Sequence, residues 1–142
     1  MSEHELVEIA QRQINSFNES DWDAMRLVCA EDVLYDEKGA HRQVKGIEDF
    51  LTACKAWKDL MMDCHGHLLE AKVCDNWVIA EFNFTATMTG DFTCPDGSIV
   101  RANGKKIENP SVCFYLIENG RVVEMRHYFD MLNMMTEFGI VK

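Results

Sequence analysis

Asn119-Gly120-Arg121-Val122-Val123-Glu124-Met125-Arg126-His127-Tyr128-Phe129-Asp130 is the stretch on which the reading of this chain turns. Asn-Gly between two runs of alternating polar and apolar residues is the strongest short-range signal for a β-hairpin closed by a two-residue type I′ turn. Lys105 to Glu118 supplies the strand before it, and a short Met-rich helix from about Met131 to Gly139 follows. A regular ladder counted back from the turn pairs Glu118 with Arg121, Tyr115 with Glu124, Cys113 with Arg126, Ser111 with Tyr128 and Asn109 with Asp130. That places these residues on one unusually polar face, with Val123, Met125, His127 and Phe129 on the mostly apolar other face.

Upstream, Trp77 to Thr89 has the same period of two. Val78, Ala80, Phe82, Phe84, Ala86 and Met88 face one way, and Trp77, Ile79, Glu81, Asn83, Thr85 and Thr87 the other. Asp75-Asn76 is a tight-turn pair, and before it Leu69, Ala71 and Val73 alternate with Leu68, Glu70 and Lys72 from about Cys64. Gly90 to Gly104 is turn-rich, with Pro95-Asp96-Gly97 and Asn103-Gly104, and reads either as a lid or as a fixed hairpin.

The N-terminal part has helical spacing instead. Ser2 and Glu5 form a capping box ahead of Leu6, Ala10, Ile14 and Phe17, so a helix runs to about Asn18. Ser20 is placed to cap a short second helix carrying Trp22, Met25, Leu27 and Val28. Val33-Leu34-Tyr35 is a short strand running into the polar turn Asp36-Glu37-Lys38-Gly39. Gly46 opens a third helix, in which Ile47, Phe50, Leu51, Cys54 and Trp57 share one face to about Leu60. The order is three helices with one short strand among them, then four long antiparallel strands. The fold class is α+β, with helices packed on one face of a curved antiparallel sheet.

The bulk numbers agree. At 142 residues the chain has the length of one domain, read as 1–142, and with 47% hydrophobic residues it can bury a core. Acids outnumber bases 24 to 14, for a net charge of −10, which repels phosphate and points away from nucleic acid and anionic membranes as partners. No apolar run approaches the ~20 residues of a transmembrane helix. The acidic Met1-Ser2-Glu3-His4-Glu5 start is unlike a secretory signal, so a cytoplasmic location is expected. Six cysteines without a Cys-x-x-Cys pair read as reduced, small hydrophobes. His65 and His67 share a strand face, but no third ligand stands at metal-site spacing, so no metal or cofactor is expected.

Four segments taken in order resemble one family: Ala30-Glu31-Asp32-Val33-Leu34-Tyr35, Gly46-Ile47-Glu48-Asp49-Phe50, Asn103-Gly104-Lys105-Lys106, and the Asn119 to Asp130 stretch. Together they are similar to the nuclear transport factor two-like fold and, within it, to the SnoaL-like group. That group includes polyketide cyclases, ketosteroid isomerases and limonene epoxide hydrolases. The resemblance covers nearly the whole chain. It implies a cone-shaped α+β barrel, three N-terminal helices against a strongly curved sheet, one deep pocket for a small hydrophobic ligand, and a homodimer formed through the outer face of the sheet.

What the resemblance implies for single residues differs between these chemistries. Asp130 lies where SnoaL-type cyclases place their catalytic acid/base, although aspartate is also a favoured cap for a helix starting at Met131. Glu37 falls at the position of the isomerases' general base, with Asp36 one residue away should the register slip. Gln13 replaces the tyrosine those isomerases need in helix one and Val112 their buried acid, so the oxyanion pair is missing. The Arg-x-Asp of the epoxide hydrolases is absent from the Glu81-Phe82-Asn83 region. The cyclase or lyase class remains: Asp130 and Glu37 as catalytic candidates, and Asn109, Tyr128, Arg126, Trp57, Tyr35 and Asn83 as substrate-binding candidates. The competing reading is a non-catalytic small-molecule binding or protein-interaction module of the same fold.

Overall fold

The computed structural model describes residues 1–141. Helix α1 (Glu3–Asn18) starts at the capping box: Glu5 N–H donates to Ser2 Oγ at 3.1 Å and Ser2 N–H to Glu5 Oε1 at 3.3 Å. Its stripe of Leu6, Ile9, Ala10, Gln13 and Ile14 is buried. The cap of α2 (Trp22–Val28) is Asp21 rather than Ser20: Asp21 accepts from Ala24 N–H, while Ser20 sits in the left-handed region at φ 53° and closes the preceding turn. Helix α3 (Ile47–Leu60) follows Gly46, whose φ of 92° suits glycine, and buries Ile47, Phe50, Leu51 and Cys54.

Strand β1 (Cys29–Glu37) is longer than the three residues the sequence suggested, and a 3-10 turn (Lys38–Ala40) leads into β2 (Arg42–Lys45). The remaining strands are β3 (His65–Cys74), β4 (Trp77–Thr87), the short pair β5 (Phe92–Thr93) and β6 (Ile99–Val100), β7 (Lys106–Glu118) and β8 (Arg121–Phe129), with helix α4 (Met131–Glu137) last. Six strands form one curved sheet in the order β2-β1-β8-β7-β4-β3, and β5 and β6 form a separate two-stranded ribbon. All neighbours in the large sheet are antiparallel except β1 and β8, which run parallel. The β5–β6 segment is tied down: Met88 N–H bonds Lys105 O, Gly104 N–H bonds Met88 O, and Asn103 Nδ2 donates to Phe138 O at 2.8 Å.

The last hairpin begins as expected. Asn119 and Gly120 have φ of 51° and 76°, as a type I′ turn requires, and Glu118 pairs with Arg121. The ladder then slips. Ile117 pairs with Val122 but Leu116 with Glu124, so Val123 is a surplus residue, a β-bulge. Beyond it every expected pairing moves by one. Tyr115 faces Met125, Cys113 faces His127 and Ser111 faces Phe129. His127 therefore lies on the inner face, and Arg126 and Tyr128 turn outward. Strand β3 contains a second bulge. Leu68 pairs with Phe82 and Glu70 with Glu81, so Leu69 is skipped and is exposed, while Leu68 packs on the core.

Helices α1 and α3 cover the inner face of the sheet, and the main core fills the space between, with Phe50 and Phe82 fully buried. A second cluster at the other end joins Leu60, Met88, Ile107, Met134 and Phe138, which fastens α4 to the sheet. Burial of one such side chain contributes about 1.5–3 kcal/mol.

Candidate functional site

Between α1, α3 and the inner sheet face the core leaves a cavity of about 100 Å³. Phe50, Trp57, Phe82, Phe84, Met125 and Phe129 make most of the wall apolar. Gln13, Tyr35, Asn109, Tyr115 and His127 bring polar atoms to it. Cys54 and Cys113 also face it, but burial pushes both thiols up, so they are neutral sulfhydryls rather than thiolate nucleophiles.

The polar atoms are engaged in short chains. Tyr115 Oη donates to Gln13 Oε1 at 2.7 Å, and Gln13 Nε2 donates to Met25 Sδ at 3.5 Å. Asn109 Oδ1 accepts from Asn133 Nδ2 at 2.9 Å, which ties α4 to the cavity wall. His127 stands between two hydroxyls. Its Nδ1 is 2.8 Å from Tyr35 Oη and its Nε2 is 2.6 Å from Ser111 Oγ. Desolvation lowers the imidazole pKa to about 4, so the ring is neutral at pH 7, with one nitrogen donating and the other accepting. Tyr35 shifts the other way: burial first, and then the nearby Glu37 carboxylate, hold its phenol well above the usual range.

Glu37 ends β1 with no exposed surface, and it is the parallel-register neighbour of His127. Its Oε2 accepts from Trp57 Nε1 at 2.8 Å and from Arg42 Nη2 at 3.2 Å. Oε1 lies 3.0 Å from Arg42 Nη2, an ion-pair distance, yet at an angle that leaves it without a directed hydrogen bond. The carboxylate thus adjoins the wall through Trp57 and reaches the surface through the half-buried Arg42.

Tyr35, Trp57 and Asn109, read from sequence as substrate-binding candidates, are on the cavity wall. Four other candidates are placed elsewhere. Asp130 is exposed and caps α4, its Oδ1 accepting Asn133 N–H at 2.9 Å, because β8 ends at Phe129 and the chain turns into the helix there. The Val123 bulge puts Tyr128 outside, 48% exposed and packed 6.0 Å from Phe114, and Arg126 outside over the Trp77 ring and bonded to Glu124. Asn83 alternates with the inward Phe82 and Phe84, so it points outward, 3.5 Å from Glu108. His127, Ser111, Tyr115 and Gln13 were not among the candidates. Only the bulge brings the first of these inward, and no local signal marks it. Among the described residues no group of three His, Cys, Asp or Glu stands together as a metal site would require, and no helix is long and apolar enough to cross a membrane.

Known structures share this architecture from end to end. A protein from Jannaschia sp. CCS1, provisionally assigned as a SnoaL-like polyketide cyclase, superposes with a TM-score of 0.86 at 20% identity over 100% of this chain and 98% of its own. AclR from Streptomyces galilaeus, provisionally assigned as a hydroxylase, gives 0.83 at 17% over 99% and 89%. TsrD from Streptomyces laurentii gives 0.81 at 18% over 99% of each chain. At these identities the likeness shows the fold. No curated protein matches the chain. The model of the SnoaL-like polyketide cyclases, however, matches residues 7–138. With that match added to the helix-on-sheet architecture, the chain belongs to the SnoaL-like polyketide cyclase family.

Proposed function

We propose that this protein binds a small hydrophobic, polyketide-like carbonyl compound in the cavity and moves a proton on it by acid/base chemistry. The observation that carries this reading is the composition of the wall: aromatic and thioether surface interrupted by a few hydrogen-bonded polar groups, the pattern of sites that hold apolar ligands in one orientation. Asn109, Tyr35 and Trp57 position the ligand. Glu37, buried beside the wall, is the carboxylate for proton transfer, while Asp130 bears on the site as the cap that holds Asn133 against Asn109. The second reading, a binding module without catalysis, is favoured by one observation, the exposed capping position of Asp130.

Exchange of α-hydrogens separates the two. Wild-type protein is incubated with aryl methyl ketones in D₂O and followed by proton NMR. The enzyme reading expects exchange well above buffer, lost in Glu37→Gln. Exchange at the buffer rate, with binding intact, leaves the binding module. A homodimer belongs to the same proposal, with Trp77, Phe114 and Tyr128 on the outer sheet face supplying the contact, and light scattering decides it. Six free cysteines fit a reducing compartment, the cytoplasm.

A further inference from the structure

A carbonyl oxygen buried in an apolar wall needs a donor, because an unpaired polar atom is costly there. Several polar groups on this wall are already committed. Tyr115 gives its proton to Gln13, and the Gln13 amide is turned to Met25. The line Tyr35–His127–Ser111 is different, because its direction depends on which imidazole nitrogen carries the hydrogen. If Tyr35 donates to Nδ1, its proton is spent. If Ser111 donates to Nε2, then Nδ1–H donates to the Tyr35 oxygen, and the phenol proton is free for another acceptor.

Glu37 decides between the two. It lies two residues from Tyr35 on the same face of β1, fully buried, with Oε1 lacking a directed partner. An acceptor-only group at that end favours donors that point toward it, from Ser111 through His127 to Tyr35. We propose that Ser111 and His127 are positioning residues that free the Tyr35 hydroxyl to donate to the carbonyl oxygen of a ketone-class ligand in the cavity. This rests on the cavity being the ligand site proposed above. With ligand the phenol proton turns to the ketone. The phenol stays protonated throughout, so it acts as a donor and never as a base.

Acetophenone and ethylbenzene, which differ in the carbonyl oxygen, are the probes. Both are titrated by NMR into wild-type protein, Tyr35→Phe and Ser111→Ala. Loss of one hydrogen bond corresponds to roughly three- to tenfold in affinity. Tyr35→Phe should therefore weaken acetophenone by that factor and change ethylbenzene by less than about twofold, and Ser111→Ala should move the same ratio in the same direction. In wild-type protein the ¹⁵N shifts of His127 should show hydrogen on Nδ1 and a bare Nε2, with the tautomer reversed in Ser111→Ala. A merely structural role would not move that signature. If both probes bind and the ratio is unchanged in Tyr35→Phe, this inference fails and the cavity reading stands. If neither probe binds wild-type protein, the cavity reading fails and this inference falls with it. Should Tyr35→Phe not fold, the wild-type tautomer decides alone, and a hydrogen on Nε2 overturns the proposal.

Discussion

Replacing His127 with glutamine should remove a pH dependence of stability whose size follows from the site. The imidazole has an ordinary pKa of 6.5 and is held at about 4 in the folded protein by desolvation. A depressed folded pKa means that the unfolded chain takes up the proton first. Stability is therefore complete above about pH 6.5 and falls as the pH drops toward 4. Linkage puts the loss at about 1.2 kcal/mol by pH 5.5 and about 2.4 kcal/mol by pH 4.5, against pH 7. Carboxylates also titrate in this range, so the quantity to measure is the difference between wild type and His127→Gln, in which they cancel. Urea unfolding at pH 7.0, 5.5 and 4.5 gives it. At pH 7 the variant loses ring contacts to Phe129 and Phe84 and is the less stable protein. The gap should close by about 2.4 kcal/mol at pH 4.5. A gap constant with pH, or an imidazole that titrates near 6.5 by NMR in the folded protein, would refute the assignment of His127 to a desolvated wall.

Three further outcomes are expected. Arg42→Ala should cost more than Glu37→Gln, about 3 kcal/mol against about 1–2, because the first leaves a buried carboxylate unpaired and the second leaves a half-exposed cation that water can reach; denaturant midpoints rank them. Asp130→Ala should cost about 1 kcal/mol by loss of the α4 cap, while Asp130→Asn should be nearly neutral to stability, since asparagine caps equally well; a larger loss for Asn than for Ala would count against the capping role. Gly90→Ala should destabilise by more than about 2 kcal/mol, because its added Cβ would sit 2.0 Å from the Asp59 carbonyl oxygen and the backbone must move; an unchanged melting temperature would contradict that packing.

What could be read from the sequence was what is local. The α1 capping box, the α3 stripe, the alternation from Trp77, expected to Thr89 and found to Thr87, and the Asn119-Gly120 turn each depend on residues a few positions apart. The two bulges are not local. Val123 and Leu69 are skipped because of what their partner strands do, and nothing in Arg121-Val122-Val123-Glu124 marks which residue a ladder will leave out. An alternation read straight through such a point inverts every face beyond it. A straight alternation therefore puts Arg126 and Tyr128 on the pocket side and His127 on the far side, the reverse of the structure. Tyr35 and Trp57 escape the inversion because the register shift of β1 against β8 falls between Cys29 and Leu34, ahead of Tyr35, and Trp57 is on a helix. Asp130 was legible in both of its roles, and the geometry places it as the cap.

The parallel seam between β1 and β8 has a consequence for how the chain reaches this state. Tyr35 and His127 are 92 residues apart, and the contact between them closes the cavity wall. Strands β3, β4, β7 and β8 form a meander from successive antiparallel neighbours, whereas β1 must await β8. Closing so long a loop is entropically expensive and rewarded late. During synthesis α1 can pack on β3 and β4, and α3 on β1 and β2, but the wall between β1 and β7 stays open until β8 exists, an interval in which a nascent chain is open to aggregation and to chaperones. A chain ending at Glu118 should accordingly bind ANS and lack fixed tertiary structure by near-ultraviolet circular dichroism; native-like packing in that fragment would show the seam to be dispensable.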